Sequence, residues 1–353
     1  MHPAACSSPA AHSAWGSSVD RAAQPDLRFA LLNDWQRGFP LVAAPFGAIA
    51  NEAAAAESAV IEHYQSLLRD GAISRIGGVW GAGAGGAALL CAFSVPAGRL
   101  DAVAAIVSAH PGVNHNYERE HHFNLWFVIT GRDAGAVADC VDELEAQSGC
   151  RALRLRMRRA YRIDLGFDLR DPMAACGELS AQRVPPVAEA DAALAALVEQ
   201  GLPLIARPFD SWAGALRWPR AQVLATLRHW HQQGTLRRFG VIVRHHEAGF
   251  AHNAMTVFDV PDDSVDRCGT ALAAQHGVTL AYRRERAAAW PYNLYCMVHG
   301  RDRAAVRGAI ATAIERSGLG VHPHAVLFSR RRFKQTGARY FRALPQGEQH
   351  AAA

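Results

Sequence analysis

Asp70-Gly71-Ala72-Ile73-Ser74-Arg75-Ile76-Gly77 returns 163 residues later as Gln233-Gly234-Thr235-Leu236-Arg237-Arg238-Phe239-Gly240. The same displacement carries Gly38-Phe39-Pro40-Leu41 onto Gly201-Leu202-Pro203-Leu204. Downstream, His110-Pro111-Gly112-Val113 … Tyr117 matches His276-Gly277-Val278 … Tyr282, and Asn124-Leu125-Trp126 matches Asn293-Leu294-Tyr295. Repeats this far apart are duplicated domains rather than solenoid units, so the chain reads as a fused pseudo-dimer. Short insertions in the second half, one around Ala287–Pro291, account for the drift in spacing.

Each half starts with short amphipathic stretches. Leu27–Arg37 and Ala192–Gln200 are predicted helical, as are Val60–Arg69 and Ala221–Gln233. The second pair stops at Gly71 and Gly234, glycines suited to a left-handed C-cap, before a short strand. That order makes a winged helix-turn-helix. Strands and helices then alternate. In the first half they are Leu89–Val95, Leu100–His110, Asn124–Thr130 and Ala134–Ser148. In the second they are Ala254–Val260, Val265–His276, Leu294–His299 and Arg303–Ser317. The pattern is that of a β-α-β-β-α-β ferredoxin-like sandwich, giving an α+β fold of two like units. Residues 26–80 and 190–244 are the expected helix-turn-helix units, and 87–167 and 250–340 the expected sandwiches. Residues 168–189, with Pro172, Pro185 and Pro186, form the expected linker, and 1–25 and 345–353 the expected disordered tails.

Of the 353 residues, 50% are hydrophobic and 20% charged, and no apolar run is long enough to span a membrane or act as a secretory signal. A soluble cytoplasmic protein is expected. Seven cysteines with no C-x-x-C pair argue against a zinc ribbon, an iron–sulfur site or a disulfide framework. The net charge is +5, and Lys334 is the only lysine among 37 basic residues. Arginine holds carboxylate or phosphate bidentately, which suits a polyanionic partner. DNA is a poor candidate for that partner. In the first half, from Ala48 to Asp70, where a recognition helix would lie, Arg69 is the one Lys or Arg against Glu52, Glu57, Glu62 and Asp70, whereas phosphate contact needs several cations; the second half, with Arg217, Arg220 and Arg228, is less acidic there. Gly81–Gly86 lacks a Walker lysine and precedes a strand, so it reads as a flexible loop, not a nucleotide cradle.

The ribbon Val113-Asn114-His115-Asn116-Tyr117-Glu118-Arg119-Glu120-His121, followed by Asn124-Leu125-Trp126-Phe127, resembles a signature of the siroheme decarboxylases, Lrp/AsnC-like proteins of the heme d1 and alternative heme pathways. Tyr161–Leu169, Arg238–His246, Trp290–Tyr295 and Phe328–Lys334 resemble the same family, so the likeness spans about Leu27 to Tyr340. The first half is similar to D-type and the second to L-type subunits, as in a NirD–NirL fusion of denitrifying bacteria. The resemblance implies a carboxy-lyase (EC 4.1.1.-) that removes the C12 and C18 acetate carboxylates of siroheme to give 12,18-didecarboxysiroheme. It implies no cofactor, the iron belonging to the substrate. It also implies a homodimer or association with further NirG/NirH-type subunits. A tetrapyrrole-responsive transcription regulator on the same fold is the alternative.

The chemistry can be set against named residues. Loss of CO2 from a pyrrole acetate needs an electron sink and then a proton, which a histidine can supply as general acid. His115, His121 and His245 are the candidate catalytic residues; for His115 and His121, proton donor and iron ligand both stand open. Arg75, Asn114, Tyr117, Arg119, Arg238, His246, Tyr282 and Arg284 are the candidate substrate-binding residues, and no resident metal site is expected. Strand alternation predicts that His115, Tyr117, Arg119 and His121 share one face. In the second half the corresponding positions are Leu280, Tyr282, Arg284 and Arg286, so both histidines are lost there. The adjacent pair His245-His246 can turn at most one ring toward a ligand. Arg75 and Arg238, equivalent after the wing turn, are either solvated or carboxylate-binding. His299 belongs to no pattern that assigns it a role.

Overall fold

The protein is described by a computed structural model covering residues 26–163, 169–170, 183–244 and 252–341. The expected tails and part of the expected linker lie outside the described residues, as do His245 and His246. The first helix-turn-helix comprises Leu27–Asn33 (α1), Pro45–Glu52 (α2), Glu57–Arg69 (α3) and the wing strand Ile73–Trp80 (β1). The first sandwich follows as Ala87–Phe93 (β2), Leu100–Ala109 (α4), Val113–Arg119 (β3), Leu125–Gly131 (β4), Ala134–Ser148 (α5) and Ala152–Leu155 (β5). A further strand, Met157–Ile163 (β6), lies beyond it. The second half repeats the order with Ala192–Gln200 (α6), Pro208–Leu216 (α7), Arg220–Gln232 (α8) and Leu236–Val243 (β7). Its sandwich is His252–Phe258 (β8), Val265–Ala273 (α9), Val278–Arg284 (β9), Leu294–Gly300 (β10), Arg303–Arg316 (α10) and His324–Gln335 (β11).

Local chemistry sets the boundaries. Pro45 and Pro208 open α2 and α7 at the position where the missing N–H costs nothing. Asp133 and Asp302 cap α5 and α10 by accepting from Ala136 N and Ala305 N, each at 2.8 Å. Gly71 and Gly234 both take φ +76°, turning α3 and α8 into the wings. Contrary to the single helix expected over Leu27–Arg37, α1 stops at Asn33 and continues as a 3-10 turn, Asp34–Gln36.

The wings depart from a hairpin within each unit. β1 pairs antiparallel with β7 across the two halves, with Gly77 opposite Gly240 at the centre of the ribbon. Both helix-turn-helix units therefore share one core, in which Phe46, Tyr64, Trp212 and Phe239 are buried together. A glycine is required on each side. A Cβ on Gly240 would collide with the carbonyls of Trp35 and Gln36, and one on Gly77 would lie 2.7 Å from the carbonyl of Val198. We expect Gly240→Val to cost ~1–3 kcal/mol or more by overpacking, read as a lowered denaturation midpoint. An unchanged midpoint would show that the wing junction is soft.

Sheet order within each sandwich is that of a ferredoxin-like unit, β5-β2-β4-β3 and β11-β8-β10-β9. The two sheets join into one. β11 pairs with β8 over His324–Phe328 and then with β3 over Ser329–Gln335. At the other edge only Arg156 separates β5, which pairs with β2, from β6, which pairs with β9. Each half thus hands its last strand to the other, and the chain passes directly from β5 at one end of the strand order to β6 at the other, bringing the two ends of the sheet together. Helices α4 and α5 cover one outer face over Phe93, Val107 and Phe127, and α9 and α10 cover the other over Phe258, Leu272 and Val306. The enclosed face holds Trp126, Met255, Tyr282, Trp290, Tyr295 and Leu327. No described helix is long and apolar enough to cross a membrane.

Candidate functional site

β3 brings most of the candidate residues to the enclosed face. Its alternation sends Asn116 toward α4, where it donates to the Ala104 carbonyl at 3.0 Å, and leaves Tyr117 and Arg119 pointing inward. The Arg119 guanidinium lies over the Tyr117 ring and donates to the Leu327 carbonyl at 3.1 Å. In the other half Arg284 lies over Tyr282 and donates to the Leu155 carbonyl at 2.8 Å. The two Tyr–Arg pairs are thus pseudo-symmetric, each arginine donating to a backbone carbonyl near the point where a strand crosses between halves. Burial pulls the Arg119 pKa down to about 10, the nearby Tyr117 and Tyr282 opposing it, and pushes the Tyr117 phenol up.

His115 is half-buried on the same strand and stacks on Tyr117, with ring centroids 6.3 Å apart. Its Nδ1 is 3.0 Å from Asn114 Oδ1. With the amide oxygen as acceptor, Nδ1 carries the hydrogen and Nε2 is the atom that titrates. Burial first and the Arg119 charge second press the His115 pKa down to about 4.

The structure adds a residue to which sequence pattern gave no role. His299, at the end of β10, follows Tyr295 and Met297 on the inward face. Its Nδ1 is 3.0 Å from Thr279 Oγ1, a hydroxyl that also donates to the Met297 carbonyl at 3.2 Å. Having one proton, already given to that carbonyl, the hydroxyl accepts from His299, so here too Nε2 is the titrating atom. Burial and then Arg119 push His299 down to about 4 as well. One imidazole from each half therefore sits in the field of one arginine. Strand alternation on Leu294–Gly300 would have placed His299 inward; the missing information was which partner strand it faced.

His121 is placed differently from the expected four-residue face. β3 ends at Arg119, whose N–H donates to the Asn124 carbonyl at 2.8 Å, and the chain bends through Glu120–Phe123. His121 leaves the strand and meets Trp290 edge-on and Phe123 in a stack. Phe123 N donates to its Nδ1 at 3.0 Å, the reverse of the His115 arrangement. Burial and the neighbouring His122 lower its pKa.

Arg75 lies outside the nine-stranded sheet, half-buried on the wing ribbon, where it donates to the Gly78 carbonyl at 3.1 Å and borders a cavity with Arg244, Arg339 and Glu199. Arg238, its equivalent, is buried at 7% exposure, pairs with Val79 toward the opposite end of the wing ribbon, and does not line that cavity. The two arginines therefore do not meet in one pocket. Asn114 links the cavity to the enclosed face: its carbonyl accepts from Thr336 N at 2.7 Å, and Thr336 lines the cavity. Among the described residues no cluster of His, Cys, Asp or Glu could hold a metal ion.

Two ferredoxin-like units sharing a sheet, each preceded by a helix-turn-helix, define an AsnC-like ligand-binding architecture. Comparison with family models agrees: the AsnC-like ligand binding domain matches residues 84–162 and 247–334, and the siroheme decarboxylase NirDL-like HTH domain matches 29–73 and 191–237. The siroheme decarboxylase NirDL subunit of Paracoccus denitrificans is 40% identical over 314 residues, covering 89% of this chain and 97% of its own. The crystal structure of a siroheme decarboxylase NirDL superposes with TM-score 0.65 at 28% identity, over 89% of this chain and 94% of that one. A second structure of NirDL, in complex with an iron-uroporphyrin III analogue, gives TM-score 0.64 at the same identity, covering 90% and 95%. The chain belongs to the siroheme decarboxylase family.

Proposed function

We propose that this chain decarboxylates siroheme at the C12 and C18 acetates, yielding 12,18-didecarboxysiroheme, and that His115 and His299 supply protons within the closed sheet. The placement of one imidazole from each half about Arg119 carries this assignment. In each step the bond from methylene to carboxylate breaks, CO2 leaves, and its electron pair passes to the methylene carbon, where the macrocycle delocalises it. A proton from an imidazolium Nε2 then completes the methyl group, and solvent reprotonates the ring. Arg75, Arg119, Arg238 and Arg284 are assigned to hold or orient carboxylates, a contribution of positioning more than of charge. Asn114 fixes the His115 tautomer, and Tyr117 and Tyr282 wall the site. His121 is assigned a supporting place under Trp290. His245 and His246, outside the described residues, stay candidates for acid and binder.

The imidazoles of the free protein are neutral at pH 7, and the substrate supplies what they lack. Eight carboxylates arriving beside Arg119 offset its field and favour the protonated rings, so binding and activation are linked. No resident cofactor enters this scheme. Relatives from Stutzerimonas stutzeri are separate NirD, NirL, NirG and NirH subunits, each aligning with about 40% of this chain. Association of this fused chain with such subunits, or with itself, and a cytoplasmic location are part of the same proposal. Anaerobic incubation with siroheme followed by mass spectrometry tests it. Loss of two CO2 units is expected. Unchanged pigment together with tight, salt-sensitive DNA binding would replace the enzyme with a regulator.

A further inference from the structure

We propose that the cavity between the wing ribbon and the C-terminal end of β11 is a subsite for a single carboxylate arm of the macrocycle, without a counterpart at the pseudo-symmetric position among the described residues. The assignment rests on the siroheme reading above. Arg75, Arg244 and Arg339 converge on the cavity with Glu199. The volume is about 180 Å³. That falls below the ~300 Å³ at which drug-sized ligands begin to fit, and a water takes ~30 Å³, so the space suits one acetate- or propionate-sized arm and excludes a ring system.

The charge balance favours an anion. Glu199 already accepts from Tyr340 N at 2.8 Å and from Phe341 N at 3.2 Å, so it holds the chain end in place. Three guanidiniums thus face one committed carboxylate. The Nε atoms of Arg75 and Arg244 are buried with no hydrogen-bond partner. Arg75 is half-buried, and desolvation lowers its pKa, with Glu199 opposing and Arg339 adding to the effect. Buried guanidinium N–H groups without acceptors are costly, and a carboxylate oxygen would satisfy them.

Glycines shape the approach. The Arg75 stem passes beneath Gly201, where a Cβ would lie 2.8 Å from Arg75 Cβ, and a Cβ on Gly337 would strike the Arg75 guanidinium. The cavity also touches the catalytic face, since Thr336 N bonds to the Asn114 carbonyl while Asn114 Oδ1 pairs with His115. An arm held by the arginines would therefore register the ring against that imidazole.

Pseudo-symmetry shows why there is one such subsite among the described residues. Gly81 stands where the second half has Arg244, and Gln36 where it has Glu199. The space beside Gly81 is taken by the inter-unit segment. Val184 N donates to the Ala82 carbonyl at 3.0 Å, Val187 N to the Ala84 carbonyl at 2.7 Å, and Thr235 Oγ1 to the Pro185 carbonyl at 2.8 Å. A Cβ on Gly81 would lie 2.9 Å from the Val184 side chain. A segment of chain fills in one half what an arginine lines in the other.

The test is absorbance titration of the full-length chain with metal-free uroporphyrin, which carries eight carboxylates but is not the substrate. Arg244→Gln, Arg339→Gln and Gly337→Ala should each raise its Kd by ~10-fold or more, the size expected for losing a charged hydrogen bond, while the exposed Arg316→Gln should not. Unchanged Kd in all three folded variants overturns the subsite, even if siroheme is still decarboxylated. Conversely, if wild type leaves siroheme intact yet the variants loosen uroporphyrin, the subsite stands and the reaction assignment falls. Thermal stabilisation by inorganic phosphate that depends on Arg339, with uroporphyrin binding indifferent to it, would overturn the macrocycle arm in favour of a free anion.

Discussion

His115→Ala and His299→Ala should each lower siroheme turnover by ~10²–10⁴-fold with the fold intact, the usual loss when a general acid is removed. Asn114 and Thr279 fix both rings with hydrogen on Nδ1, so Nε2 is the atom that gains and gives the proton. His121→Ala should behave differently, costing stability while leaving turnover close to wild type. The His121 Nδ1 accepts from Phe123 N, and protonating that nitrogen would set N–H against N–H. The ring packs on Trp290 and Phe123, contacts that serve the cluster around Trp126. Single-turnover assays under anaerobic conditions, paired with denaturation midpoints, separate the two effects. A turnover loss in His121→Ala matching that of His115→Ala would move the acid to the far end of β3.

Much of this architecture was legible in the chain because duplication wrote it twice. The wing octapeptide located both helix-turn-helix units, and strand and helix periodicity located both sandwiches to within a few residues. Exchange of strands was not legible. β6 follows β5 after Arg156 alone, and nothing in Met157–Ile163 says that its partner is β9 of the other half. Likewise β11 changes partner at Ser329 within one unbroken strand. Such pairings depend on long-range register, which local periodicity does not encode. The candidate site shows the same division. Tyr117 and Arg119 were found because a motif and its alternation coincide, while His121 was carried along by an alternation that the bend at Glu120 interrupts. His299 passed unnoticed because its neighbours in space, Thr279 and Arg119, belong to different strands and, for Arg119, to the other half.

Acid should loosen this fold before its carboxylates titrate. His115 and His299 are held near pKa 4 by burial, with Arg119 adding to it. In the unfolded chain they titrate near 6.5. Below that value the unfolded state binds protons that the native state refuses, so stability falls as pH drops from about 6.5 toward 4, and these rings contribute no pH dependence above it. Each ring should cost ~1.4 kcal/mol per pH unit across that window, an upper figure if water reaches the rings. Denaturant melts between pH 6.5 and 5 avoid the native carboxylates, several of which arginines hold low, such as Glu120 beside Arg303 and Asp262 beside Arg286. Wild type should lose stability steeply over this interval, and a His115→Asn/His299→Asn double variant should lose much less. An octacarboxylate bound beside Arg119 should reverse the effect, since raising the two pKa values makes association take up protons. Calorimetric titration with uroporphyrin in buffers of different ionisation enthalpy reads that uptake directly. A stability curve of equal slope in wild type and double variant would mean that neither ring is held neutral by the fold, and would remove the link between substrate binding and the activation of its proton donors.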